Sequence, residues 1–362
     1  MTRTRTIAGC FALAGLLAGA WAMAQERMTM VSWGGAYGRA TDRALLEPFG
    51  ADAGVRISME DFNGGLAEIR AQVETGNVHW DVVDLESADA IRGCDEGLLE
   101  ELDPADLFPD QDAAAAAGDF LPGTLSDCGV GLIFYSTVYA YHRDHFPGER
   151  PATMADFFDV ERFPGRRGMR RSPYGNLEFA LVADGVPVDR VYEVLDSPGG
   201  IDRAFAMLDK IKEHVVWWEA GAQPPQMLAD GEVVMTTAYN GRLFNAQVVE
   251  NQPFEIVWDG QVLDHAQLTI VAGTPNLDTA LQFLAFAARP ESMAAMSRYI
   301  SYSPVRGSAM ALVTTHADTG VDMAAHMPAT PERLERSVFN DWAWWADFGE
   351  QVNERFGAWL AR

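Results

Sequence analysis

The sequence predicts an α/β protein built on mixed sheets. Short apolar, β-prone runs alternate with helix-like segments along the whole chain. The first such pair is joined by a glycine–aromatic turn, Ser32-Trp33-Gly34-Gly35-Ala36-Tyr37, at a strand-to-helix junction of the kind where open α/β folds hold small molecules. Glycines there admit backbone conformations closed to other residues and let a ligand approach the main chain. The following helix start offers free N–H groups. The same six residues also suit a tight turn around a packed Trp.

Taken in order, Met28–Val31 reads as a strand and 38–49 as a helix with Ala44, Leu45 and Phe49 near one face. Residues 55–59 alternate apolar and polar and read as a second strand. A helix at 66–75 follows, stopped by Gly76-Asn77. Residues 80–85 form a strand with a buried middle, placing Glu86 at its C-terminal end before a helix at 88–97. Residues 130–135 and 138–141 are β-prone, 201–212 is helical, and 215–218 and 233–239 are strands. Two further strands, 254–258 and 268–271, precede helices at 277–288 and 292–300, and 352–360 closes the chain as a helix. No internal repeat or low-complexity linker interrupts the pattern.

Residues 1–24 read as a cleavable export signal. Arg3 and Arg5 form a basic start, an apolar run covers 7–20, and Ala22-Met23-Ala24 is the cleavage site. The apolar run is too short to span a bilayer. The protein is therefore expected in the periplasm. The remaining chain is long enough for two lobes with their own cores. The whole sequence's 52 acidic against 27 basic residues argue against nucleic acid and anionic membrane as partners. Of the three cysteines, Cys10 leaves with the signal. Cys94 and Cys128 are expected to pair in an oxidising compartment, the alternative being two buried free thiols.

Familiar catalytic patterns are missing from the sequence: no nucleophile elbow, P-loop, C-x-x-C or H-E-x-x-H occurs. Gly129-Val130-Gly131 lacks the third glycine of a dinucleotide site. His142 and His145 suit a solvated loop better than a metal. No enzyme activity, metal or cofactor is expected.

Several stretches, in order, give the chain a resemblance to the periplasmic solute-binding proteins of ABC importers, in the spermidine/putrescine-binding-like group. They are Ser32–Tyr37, Trp80–Asp84, Glu96–Leu99 before Leu102-Asp103, Tyr135–Tyr141, Phe163–Gly168, Leu228–Val233, Tyr239–Arg242, Phe283–Phe286 with Arg289-Pro290-Glu291, and Tyr302–Val305. The resemblance implies a two-lobed type II periplasmic-binding-protein fold with two hinge crossings, near 137–141 and 262–268. Residues 25–138 and 266–362 would form the first lobe and 139–265 the second. A monomer would capture a small solute between the lobes, close over it and deliver it to the permease subunits. A secreted α/β hydrolase, and a receptor that presents a ligand to a membrane sensor, are the competing readings.

The group's polyamine binders hold ammonium groups with aromatic walls and carboxylates. Here Trp33 and Tyr239 match the aromatic positions, Glu86 falls at a polar ligand position, and Asp264 lies near an acidic one. Gly34, Gly35, Tyr37, Ser136, Tyr174 and Arg242 complete the candidate ligand-binding set. The departures are specific. Ser172-Pro173-Tyr174-Gly175-Asn176 replaces an acidic turn, and Gly35 and Ala266 stand where carboxylates are expected. A long polycation would find few partners. A smaller amine remains open as the ligand. So does a zwitterion such as an amino acid or betaine, with Arg242 pairing its carboxylate; Arg242 in a structural ion pair is the alternative.

Overall fold

The computed structural model describes residues 26–109 and 112–362. The expected export signal lies outside the described residues. Eleven strands are present among them: β1 (Arg27–Ser32), β2 (Arg56–Asp61), β3 (Val82–Glu86), β4 (Leu125–Ser126), β5 (Gly129–His142), β6 (Arg167–Arg170), β7 (Val215–Trp218), β8 (Met235–Tyr239), β9 (Phe254–Ile270), β10 (Ser303–Pro304) and β11 (Val338–Phe339). The main order is β2-β1-β3-β9-β5-β8-β6-β7, with β4 and β10 on β5 and β11 on β9. β1 runs parallel to β2 and β3, and β6 parallel to β7 and β8, whereas β5 and β9 are antiparallel to their main-order neighbours.

Two long strands organise this arrangement. β5 is buried over its first thirteen residues, and β9 pairs with it from Gly129↔Thr269 to His142↔Phe254. The register breaks between Thr137, opposite Val262, and Tyr139, opposite Val257. Residues 258–261 thus bulge out of the ladder, with Gly260 in the left-handed region at φ 68°. An extra stretch on one strand bends and twists the sheet locally, and here it divides the sheet into two wings.

Each wing has its own core. Met30, Leu45, Phe49, Leu132, Leu268 and Phe283 pack together on the first. Val31, Ile69, Val83 and Leu85 fill its other face, where Cys94 and Cys128 form the expected disulfide. On the second wing Tyr139, Phe157, Phe179, Phe205 and Met235 form one layer, and Val138, Trp218, Leu228 and Phe254 the other. Strands covered on both faces read as continuous apolar runs, as Val82-Val83 and Val138-Tyr139-Ala140 do.

The C-terminal helix packs against both wings. It runs over Trp342–Leu360, capped by Asp341, whose carboxylate accepts the Trp344 N–H at 3.0 Å. Trp344, Trp345, Val352, Phe356 and Trp359 insert into the second core, not the first. Burial of each such side chain is worth about 1.5–3 kcal/mol. The same helix reaches the first wing through Arg92 and Glu350, 3.6 Å apart.

Candidate functional site

The C-terminal ends of β1, β3, β6 and β8 converge between the two wings. In open parallel sheets this is where ligands bind. Trp33 lies just past β1, and Glu86, Arg170 and Tyr239 are the last residues of β3, β6 and β8. Trp33, Glu86 and Tyr239 border an aromatic cleft with about 340 Å³ of empty space, completed by Tyr37, Tyr135, Arg242, Ala266 and Tyr302 among others. Tyr135 meets Tyr239 edge-on at 5.4 Å, Tyr302 lies 5.7 Å from Tyr37, and Trp33 packs at a tilt on Phe62 at 4.7 Å. Trp33 thus packs one side of its ring while the residue borders the cleft.

Gly34 and Gly35 have φ of 58° and 60°. A Cβ on Gly35 would sit 2.6 Å from Arg242 Nη1, and one on Gly34 would collide with Asp61. These glycines allow the arginine of the second wing to approach the first-wing loop. Arg242 Nη1 donates to the Gly34 carbonyl at 3.0 Å and Nη2 to the Trp33 carbonyl at 2.9 Å. Its Nε has no partner, the side chain is buried, and no carboxylate pairs with it among the described residues. The structural ion pair is thus not formed. Arg242 also lies over the Tyr239 ring at 5.8 Å, and a buried cation without a paired carboxylate gains from an anion beside it.

Glu86 is the other charged residue on the cleft wall. Its Oε1 accepts from Arg170 Nη1 at 2.7 Å, an ion pair between the wings with both side chains about six-sevenths buried. Burial opposes the Arg170 charge, but the carboxylate outweighs it and holds the guanidinium above its usual range. Beneath the cleft, Asp84 accepts from Tyr37 Oη at 2.7 Å and Ser32 Oγ at 3.2 Å. Desolvation nevertheless lifts its carboxyl to about 7.

Two candidates lie behind the wall and not on it. Asp264 is fully buried and uses both oxygens: Oδ2 accepts from Tyr135 and Tyr174, Oδ1 from Trp342 Nε1 and the His265 N–H at 2.7 Å each. Burial lifts its carboxyl to about 6. Ser136 is buried in β5, where its N–H donates to Asn240 Oδ1 at 2.9 Å. Tyr174 borders a second, outer pocket instead of the inner cleft. The His142 and His145 rings lie 5.2 Å apart, and no metal-binding cluster occurs among the described residues.

Sequence reasoning missed Arg170, Asp84 and Tyr302 as site residues. Arg170 was visible as a charge at the end of a short strand, the same signal that marked Glu86. Tyr135 fell within the predicted 130–135 strand, and Tyr302 within a stretch that carries the family resemblance.

Two wings, a bent two-strand connection and an aromatic cleft with one acid and one unpaired base define a two-lobed solute receptor, a type II periplasmic-binding fold. The chain belongs to the bacterial extracellular solute-binding proteins, whose description matches residues 44–329. It is 42% identical over 351 residues to the gamma-aminobutyric acid-binding protein of Pseudomonas aeruginosa, covering 97% of this chain and 96% of that one. It resembles the solved structure of MotA from A. tumefaciens B6 in complex with glucopine, with TM-score 0.83 and 31% identity over 92% of this chain and 99% of the other. A solved GABA receptor matches with TM-score 0.78 and 31% identity over 93% and 98% of the two chains. The protein is therefore a substrate-binding receptor of an ABC transporter acting outside the cytoplasmic membrane, and not an enzyme.

Proposed function

We propose that this receptor captures a small ω-amino acid of the γ-aminobutyrate type. The observation that carries the reading is the pairing, on one aromatic cleft, of Arg242 without a carboxylate partner and Glu86 with only one oxygen engaged. Arg242 would take the solute's carboxylate and Glu86 its ammonium group. Trp33, Tyr37 and Tyr239 would cover the methylene chain and offer the cation their ring faces, worth about 0.5–2 kcal/mol. The name carried by the Pseudomonas aeruginosa relative supports this ligand class over a polyamine, which would bring a second cation to Arg242.

The wings would close about the register break. We place the crossings at 137–139 and 258–262, the second earlier in the chain than the sequence suggested. The closed monomer would then engage the permease subunits.

A thermal-shift panel of γ-aminobutyrate, butyrate, n-butylamine, putrescine and glycine betaine tests the proposal. A ligand at a hundred times its Kd adds about 2.7 kcal/mol of stability. The expected result is a shift for γ-aminobutyrate well above those for the two half-molecules. A larger shift with putrescine would overturn the reading.

A further inference from the structure

We infer that the Glu86–Arg170 ion pair is the partition that fixes the length of solute this receptor accepts. The inference rests on the ω-amino acid reading above. Glu86 borders two cavities at once. One is the inner cleft. The other is an outer, polar pocket with about 1030 Å³ of empty space, which Arg170 also borders.

The outer pocket carries three arginine–carboxylate pairs. Arg170–Glu86 at 2.7 Å has side chains only 15% and 14% exposed, Arg92–Asp89 at 2.9 Å has 23% and 19%, and Arg171–Glu219 at 2.9 Å has 58% and 61%. Exposure therefore rises from the cleft towards solvent, and the Glu86–Arg170 pair is the innermost. Arg170 stands at the end of β6 and Glu86 at the end of β3, so their hydrogen bond bridges the wings where the two cavities adjoin.

Burying such a pair costs desolvation that its Coulomb attraction roughly offsets, so it adds little net stability. Its effect here is spatial. With the pair formed, a solute anchored on Arg242 must end at Glu86. With Arg170 shortened, the inner cleft runs on into the outer pocket, where Asp89 and Glu219 can receive a more distant ammonium group. Arg170 is thus a specificity-determining residue that acts by closing the cleft.

The test is calorimetric titration with ω-amino acids of increasing chain length, from 4-aminobutanoate to 8-aminooctanoate. Wild type, Arg170→Ala and Arg170→Lys are compared. Wild type should bind the short members and lose about tenfold or more in Kd, at least 1.4 kcal/mol, beyond a cut-off length. Arg170→Ala should move that cut-off to longer chains, and Arg170→Lys, which keeps a cation on Glu86, should restore it. Arg170→Ala leaves Glu86 without its cation. If that variant melts below the assay temperature, Arg170→Gln carries the same expectation. An equal loss at every chain length, with the cut-off unmoved, overturns the partition and leaves the ligand class standing. Failure of wild type to bind any ω-amino acid overturns both.

Discussion

Arg242→Gln separates the two halves of the proposed ligand. The arginine is 4% exposed and gives two hydrogen bonds to the carbonyls of Trp33 and Gly34. Glutamine can keep at most part of that donation, so the fold should lose about 1–3 kcal/mol for a carbonyl left without a donor. That loss is read from the melting curve. The ligand term is larger. Removing the buried partner of a desolvated charge costs about 2–5 kcal/mol, or about thirtyfold to a few thousandfold in Kd. The assay is isothermal calorimetry with γ-aminobutyrate and, in parallel, n-butylamine. The amine has no carboxylate, so its affinity should change by less than about threefold. If both ligands weaken by the same factor, Arg242 shapes the loop and does not bind the carboxylate.

Trp33→Ala and Tyr239→Ala should each weaken γ-aminobutyrate binding by about twofold to thirtyfold, the range expected for loss of a cation–aromatic contact; unchanged affinity in both would remove them from the site. Asp84 gives a pH signature through desolvation, which lifts its folded-state carboxyl from 3.8 to about 7. Below pH 4 the group is protonated folded and unfolded alike. As pH rises from about 4 to 7 the unfolded chain ionises while the folded one holds its proton, so stability falls by up to about 4 kcal/mol. Urea melts should show this decline in wild type and its loss in Asp84→Asn; parallel profiles would refute it. The Cys94–Cys128 bond closes a separation of 34 residues, so replacing both by serine should destabilise by about 4 kcal/mol on the chain-entropy account. Denaturant melts read this loss, and a drop under about 1 kcal/mol would contradict it.

The strand-to-helix junctions were legible because each carries a local signal: a β-prone run, then Gly or a charge. This is why Trp33, Glu86 and Tyr239 were found. β9 was read as two strands because Gln261, Asp264, His265 and Gln267 interrupt its apolar pattern. They are all buried, and Asp264 and Gln261 bond partners far along the chain, Tyr135 and Ser337. Burial of paired polar groups leaves no mark in hydrophobic periodicity. The Glu86–Arg170 bond was hidden for the same reason: its partners are 84 residues apart and meet only through tertiary packing. The C-terminal helix was legible as apolar and helical from Val352 onward. Which core it joins depended on the aromatic sockets around Phe205 and Trp217, and no local pattern encodes that.

In the proposed complex one zwitterion spans the cleft from Arg242 to Glu86. A crystal structure with bound γ-aminobutyrate tests it most directly. The expected result is the carboxylate within hydrogen-bond distance of the Arg242 guanidinium, the ammonium group on Glu86, and the methylene chain between Trp33 and Tyr239. A solute bound in the reverse orientation, or in the outer pocket beyond Arg170, would contradict it.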